Sequence, residues 1–167
     1  MKRLLSLHNA LLLAATALAL GGCQSANHAQ QKADADAFAA KFFAALEKKP
    51  DVQVLPSGVM YQILKPGTGE FPTARDTAKV NYTGMLSDGT KFDSSRDRGE
   101  PANFPLGSLV PGMRDGLQKI NRGGRIRIFI PYAQGYGADG TDAIPPYSIL
   151  VFDVELLDFG PAPMSFF

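Results

Sequence analysis

The sequence predicts an α+β domain in which a curled antiparallel β-sheet of about five strands wraps one short α-helix, with a further helix before it. Three observations predict this. Segments between Gly58 and Asp158 alternate apolar and polar residues with a period of two. Among them only residues 108–120 carry a helical stripe, Met113, Leu117 and Ile120. Ser87-Asp-Gly-Thr90 supplies the Asp-Gly chemistry of a tight antiparallel hairpin.

A chain of 167 residues, 45% apolar and 20% charged, suffices for one core. Its first 22 residues come off that count. Lys2 and Arg3 make a basic start, and Leu11 to Leu20 is an apolar run too short for a comfortable membrane span. Leu20-Gly-Gly-Cys23 then closes it with small residues, which is signal-peptide organisation. Cys23 is the only cysteine, so no internal disulfide is open to it. Cleavage before Cys23 takes two of the 17 basic residues and none of the 16 acidic ones, leaving one more acid than base. Without a basic excess or a basic run, nucleic acid is not an expected partner. One histidine, His28, stays in the mature chain, within a polar stretch, so no metal site and no cofactor are expected, and a serine or cysteine hydrolase is excluded.

Residues 23–32 are polar and without apolar periodicity, which reads as a tether. Residues 33–50 read as an amphipathic helix, with Phe38, Phe42 and Leu46 near one side and Pro50 at its end. That side can cover its own domain, a second copy or lipid headgroups. Residues 51–57 read as a connector. Val59, Tyr61 and Ile63 open the first strand, and Lys65 to Gly69 is a turn. Thr77 to Leu86 alternates with Val80, Tyr82, Gly84 and Leu86 on one face. The return strand carries Phe92 and Asp93, and Ser94 to Ala102 is a charged surface excursion. Phe104 and Leu106 lead to the central helix, where Pro111 suits a first turn. Gly112 and Gly116 weaken that helix by about 1 kcal/mol each relative to alanine, so it needs a sheet over its stripe. Ile126, Ile128 and Ile130 face inward on the next strand. Tyr132 to Tyr147 is longer than an ordinary connection and stiffened by Pro145 and Pro146, which marks it for function. The last strand, Ser148 to Asp158, sends Leu150, Phe152, Val154 and Leu156 to one side.

Val80-Asn-Tyr-Thr-Gly84, Gly89 to Ser95, Val110-Pro-Gly112 with Gly116-Leu117, Gly135-Tyr-Gly-Ala138 and Ile144-Pro-Pro146 followed by Leu150 to Leu156 stand in order along the chain. Together they resemble the FKBP-type peptidyl-prolyl cis-trans isomerases, over residues 57–158. Gly58 to Leu64 with the preceding helix resembles the bacterial branch that includes the macrophage infectivity potentiator-like proteins. Leu20-Gly-Gly-Cys23 resembles the lipobox of bacterial lipoproteins, which implies lipid, palmitate included, on Cys23. Gln24 after the cysteine, where an aspartate would retain such a protein, resembles the sorting pattern of outer-membrane lipoproteins, which implies anchoring at the outer membrane of a Gram-negative bacterium, facing the periplasm. The organisation that follows is a signal peptide 1–22, a lipidated tether 23–32, the helix 33–50, the isomerase domain 57–158 and a tail 159–167.

The resemblance implies an active site. Tyr82, Phe92, Val110, Met113, Tyr136 and Phe152 are its apolar lining, with Met113 at the floor, and Asp93 is a buried carboxylate beside it. The Val110 N–H and Tyr136 hydroxyl are donors to substrate carbonyls, and Ile144 closes one rim. Ala102 stands where the best-known members carry a rim phenylalanine. The implied partners are proline-containing polypeptides, macrolide-type inhibitors, the membrane through Cys23, and a weak homodimer through residues 33–48. The implied chemistry is non-covalent. X–Pro rotation is slow because it breaks amide resonance, and an apolar pocket shaped to the twisted prolyl amide lowers that barrier. The competing reading is a prolyl-peptide binding module or holdase on the same fold.

Overall fold

The computed structural model describes residues 19–161, with side chains from residue 27 onward. Helix α1 runs Ala19–Glu47, so the stretch 23–32 expected as a tether is helical. Alanine recurs through it, and i,i+4 pairs join its turns, Gln30 to Asp34 at 2.9 Å and Lys32 to Asp36 at 2.6 Å. Missing apolar periodicity there reflects a helix with nothing to pack on, not the absence of a helix. Its apolar contacts with the sheet come from its last turns. Leu46 is buried, and Phe42 and Phe43 partly so, against Met60 and Phe129 on the outer face of the sheet. Phe42 meets Phe129 edge-on at 6.3 Å. The aromatic side therefore covers its own domain, while Phe38 stays 54% exposed.

The strands are β1 Val52–Val54, β2 Met60–Lys65, β3 Asp76–Leu86, β4 Lys91–Ser94, β5 Ala102–Pro105, β6 Arg125–Ile130 and β7 Leu150–Pro161. They form one antiparallel sheet in the order β1-β2-β6-β7-β3-β4, with β5 also paired to β3. That is seven strands where about five were expected. The two additions, β1 and β5, are three and four residues long, too short to display an alternation. The sheet accordingly extends beyond the expected 57–158 at both ends. Phe159, Gly160 and Pro161, expected in the tail, pair with β3 as far as Asp76. The signal segment up to residue 18, the Cys23 side chain and residues 162–167 lie outside the described residues.

On the concave face lies α3, Pro111–Leu117, shorter than the 108–120 stripe because a 3₁₀ turn, Leu106–Ser108, precedes it. Its glycines explain themselves here. A Cβ on Gly112 would fall 2.3 Å from Ile130 Cγ2, and one on Gly116 2.5 Å from Ile128 Cδ1. The residues that weaken the helix are the ones that let it lie directly on β6. Leu117 and Ile120 complete a core with Val80, Ile126, Ile128, Leu150, Val154 and Leu156. The long pairing of β3 with β7 runs from Asp76 to Leu86, with one register shift between Lys79 and Val80, and it places the next elements.

Candidate active site

On its other side β3 is shared. β5 pairs with Thr77 to Val80 and β4 with Thr83 to Met85, so Asn81 and Tyr82 find no strand there. A buried N–H left at that gap would be costly. Ser95, fully buried, fills it: its hydroxyl accepts the Tyr82 N–H at 2.8 Å, and Ser94 Oγ donates to the Tyr82 carbonyl at 3.3 Å. These serines open a four-residue helix, α2, Ser95–Arg98, in which Ser94 caps the Asp97 N–H and Gly99 closes the turn at φ 78°. The Ser94 to Ala102 segment is thus built into the domain, not merely a surface excursion.

Tyr82 and Gly84 point inward from β3, and Phe152 stands opposite Gly84 on β7. A Cβ on Gly84 would lie 2.7 Å from the Phe92 ring and 2.9 Å from the Phe152 ring, so the bare glycine makes room for both. The two rings meet edge-on at 5.6 Å, and Tyr82 stands 5.0 Å from Phe104. These residues wall a cavity of about 270 Å³, lined by Tyr82, Phe92, Asp93, Phe104, Ser108, Leu109, Val110, Met113, Tyr136 and Phe152. That is just below the range of about 300–1,000 Å³ usual for ligand sites, a size for one side chain and its neighbouring amide. Met113, 2% exposed, comes from the first turn of α3. Val110 caps that helix in extended geometry, and its carbonyl takes the Met113 and Arg114 N–H groups at 3.1 and 3.2 Å. Its own N–H has no acceptor among the described residues. Tyr136, 40% exposed, is held between Gly135 and Gly137, and its hydroxyl likewise has no partner among the described residues.

The structure brings every candidate lining residue to this cavity except Ile144. Ile144, expected at the rim, is only 4% exposed and belongs to the core. The chain doubles back there, pairing Thr141 with Ile144 through two backbone hydrogen bonds of 2.8 and 3.2 Å. Gly140, at φ 66°, makes that reversal possible, since a Cβ would fall 2.1 Å from the Ile144 carbonyl oxygen. Phe104, Ser108 and Leu109 were not foreseen. Phe104 stands on β5 one turn of the pleat beyond Ala102, and it supplies an aromatic wall near the position that Ala102 leaves small.

Asp93 is a second correction. It was expected buried, yet its side chain is 42% exposed, because β4 is a sheet edge. It is held there by partners, not by enclosure. The Tyr82 hydroxyl and Arg98 Nη1 donate to its two oxygens, and Arg98 Nη2 donates to the Tyr82 hydroxyl at 3.0 Å. The Arg98 guanidinium also lies over the Tyr82 ring at 5.6 Å. Partial burial works against the Asp93 charge, but the hydrogen bonds from Tyr82 and Arg98 outweigh it and hold the carboxyl below the usual range. Burial, then the neighbouring carboxylate, pushes the Tyr82 phenol above its ordinary value, with Arg98 opposing. Arg98 was missed in sequence. The signal was legible: serine at 94, an acid three residues on and glycine at 99 frame one helical turn, which returns Arg98 toward Asp93.

Chemically, the site offers aromatic walls, two free donors and a pinned carboxylate, with no nucleophile and base in contact. Comparison with known proteins agrees with this inventory. Residues 68–157 match the family described as FKBP-type peptidyl-prolyl cis-trans isomerase, and residues 9–63 match the domain described as amino terminal to it. The chain is 49% identical over 131 residues to the FKBP-type peptidyl-prolyl cis-trans isomerase FkpA of Aeromonas hydrophila, covering 75% of this chain and 49% of that protein. It superposes on the crystal structure of FkpA from Escherichia coli with a TM-score of 0.78 at 43% identity, over 83% of this chain and 65% of that one. A peptidyl-prolyl cis-trans isomerase from Pseudomonas syringae pv. tomato gives 0.67 at 39% identity, over 72% and 89%. The chain spans about half the length of the curated relatives it matches. With the fold, the order of the motifs and the matched span in agreement, the chain belongs to the FKBP-type peptidyl-prolyl cis-trans isomerase family.

Proposed function

We propose that this chain is a peptidyl-prolyl cis-trans isomerase that accelerates X–Pro rotation in envelope or secreted proteins by enclosing the twisted prolyl amide without covalent chemistry. One observation carries the reading: an aromatic-walled cavity of about 270 Å³ whose lining includes two groups, the Val110 N–H and the Tyr136 hydroxyl, with no partner among the described residues. The planar amide is the polar, conjugated form, and rotation must cross a barrier of about 20 kcal/mol. Walls from Phe92, Phe152, Tyr82 and Met113 remove water from that amide and so disfavour the planar form. They also fit the proline ring in the orientation it takes when the amide is twisted. Each 1.4 kcal/mol or so of preference for the twisted over the planar geometry is a factor of ten in rate. The two free donors fix neighbouring carbonyls, so the chain rotates about one bond only. Asp93 is not the base of this reaction. A carboxyl held below its ordinary range has little affinity for a proton near neutrality, and its role is to hold Tyr82 and Arg98 in place beside the cavity.

A protease-coupled assay on a short X–Pro peptide tests the reading. Turnover no faster than buffer, with peptide binding intact, would favour the binding-only module instead. Macrolide-type inhibitors belong to the same cavity on this reading and compete with peptide.

The proposed setting is the outer membrane, through lipid on Cys23, supported by the basic start, the apolar run and Leu20-Gly-Gly-Cys23. Cys23→Ser should abolish labelling by radioactive palmitate, and undiminished labelling would sink the anchor. A weak homodimer through residues 33–48 is supported by Phe38, which lies 54% exposed on α1. Sedimentation should show association at high concentration that Phe38→Glu removes. A single copy throughout would rule it out.

A further inference from the structure

Outside the cavity, α1 meets the loop that carries Tyr136. Asp36 lies on α1, 96 residues from Tyr132, and its Oδ1 accepts the Tyr132 hydroxyl at 2.8 Å. Its other oxygen takes the Lys32 ammonium at 2.6 Å, an exposed i,i+4 pair along α1. Tyr132 opens a 3₁₀ turn, Tyr132–Gln134, and its carbonyl accepts two N–H groups, those of Gly135 at 3.0 Å and Gly137 at 2.9 Å. Those two glycines flank Tyr136. The Tyr132 ring meets Tyr147 edge-on at 5.3 Å, and the Tyr147 N–H returns to the Gly137 carbonyl at 3.0 Å. Tyr147 itself sits at φ 58°, unusual for a side-chain-bearing residue, so the loop is closed by a strained residue that needs its neighbours. Tyr132 therefore ties α1 and the far end of the loop through its side chain, and through its backbone carbonyl it holds the N–H groups on both sides of Tyr136.

We propose that Asp36 is a positioning residue: through Tyr132 it sets the backbone that presents Tyr136 to the cavity, so that α1 is a strut of the active site as well as a spacer. Nothing else among the hydrogen bonds of the described residues joins α1 to this loop. A charge-assisted bond of this type, exposed to solvent and so screened, supports an effect of about three- to ten-fold. The inference rests on the isomerase reading above for its catalytic consequence, though not for the structural one.

The test uses the full chain and four variants: Asp36→Ala, Asp36→Asn, Tyr132→Phe and the double variant Asp36→Ala with Tyr132→Phe. Lys32→Ala is the control, since it leaves the Asp36 carboxylate and the Tyr132 hydroxyl both in place to pair. Two measurements are made on each, kcat and KM on an X–Pro peptide and amide hydrogen exchange at Gly135 and Gly137. Asp36→Ala and Tyr132→Phe should each raise KM and lower kcat/KM about three- to ten-fold, and each should speed exchange at both glycines. The double variant should be no worse than either alone, and Asp36→Asn, which keeps an acceptor, should restore most of the loss. Tyr132→Phe retains the ring against Tyr147, so a general failure to fold is not its expected effect. Unchanged exchange in both single variants, additive losses in the double variant, or a full loss in Lys32→Ala would each overturn the proposal. Faster exchange in the variants of a parent chain that shows no catalysis would overturn the isomerase reading and leave the strut standing.

Discussion

Gly84→Ala probes the walls of the cavity without removing any of them. In the structure the new Cβ would lie 2.7 Å from Cε2 and Cζ of Phe92 and 2.9 Å from Cε1 of Phe152, where ordinary contact is 3.4–4 Å. One or both rings must retreat by about 0.7 Å, in a corner where interiors have little slack. β3 cannot yield easily, because Gly84 is paired to Phe152 on one side and to Asp93 on the other. The rings give instead, at a cost of about 1–3 kcal/mol in stability, the usual range for overpacking. Their retreat reshapes the cavity, and a misplacement of this size can cost up to about 100-fold in rate. Denaturant titration reads the first quantity and a protease-coupled assay the second. The two separate in a second variant: Gly84→Ala combined with Phe92→Leu relieves the two tighter overlaps and leaves the one with Phe152, so it should recover part of the stability, yet should leave kcat/KM depressed because a wall ring is gone. Activity within two-fold of the parent in Gly84→Ala, at any stability, would falsify the claim that ring placement limits catalysis.

Other perturbations address charge and the outer face. Because the Asp93 carboxyl lies below its ordinary range and the Tyr82 phenol above its own, neither titrates between about pH 5 and 8; kcat/KM should be flat there, and Asp93→Asn should retain measurable turnover, whereas a sigmoid that vanishes with activity in the variant would restore acid–base chemistry. Asp153, its side chain 6% exposed, takes Arg125 through Nε at 2.6 Å and Nη2 at 3.0 Å, and Arg127 at 3.1 Å. Burial works against its charge, but those bonds hold its carboxyl low, so its contribution is full above about pH 4 and is lost as pH falls through the depressed folded value. Asp153→Asn should cost about 1–3 kcal/mol at pH 7, with the gap to the parent closing at pH 3; a gap that stays constant in acid would show that the charge is not what matters. Leu46→Ala, which empties the contact of α1 with Met60 and Phe129, should cost about 2–4 kcal/mol, and an unchanged denaturation midpoint would mean that α1 folds apart from the domain.

What the sequence made legible depends on element length. β3 and β7, of 11 and 12 residues, repeat their alternation often enough to be read, and so does the Ile126-Ile128-Ile130 row of β6. β1 and β5 have no room for a repeat. α1 was read only where it packs, because a polar helix surface carries no period. At the site, inward alternation said that Tyr82 and Phe152 are enclosed, but an enclosed aromatic is core in most proteins, and it took the family resemblance to place them beside a cavity. Ile144 shows the limit of such transfer: the same loop residue turns inward here because Thr141 and Ile144 close a tight reversal over Gly140. Arg98 shows the opposite failure. Its turn was marked by local capping chemistry, yet a run of charges in a loop reads as solvent-facing, and nothing in spacing alone says which charge turns back.

The position of the site follows from an irregularity in the sheet more than from the sheet itself. β3 changes partner from β5 to β4 and leaves Asn81 and Tyr82 without a strand on that side. Had the pairing been continuous, the Tyr82 N–H would be spent on a ladder bond and no buried serine would be needed. Instead Ser95 takes that N–H, which fixes α2 against the gap. α2 in turn ends with Arg98 beside the Tyr82 hydroxyl and Asp93. The same residue whose backbone is left over by the sheet thus has its side chain oriented by the element that repairs the omission. Beyond the gap β3 needs Gly84 to admit two rings, and the β3–β4 register shifts at Gly84 and Met85. A regular sheet would bury the same aromatics as core; the partner change opens a cavity among them and supplies the polar group that holds its edge.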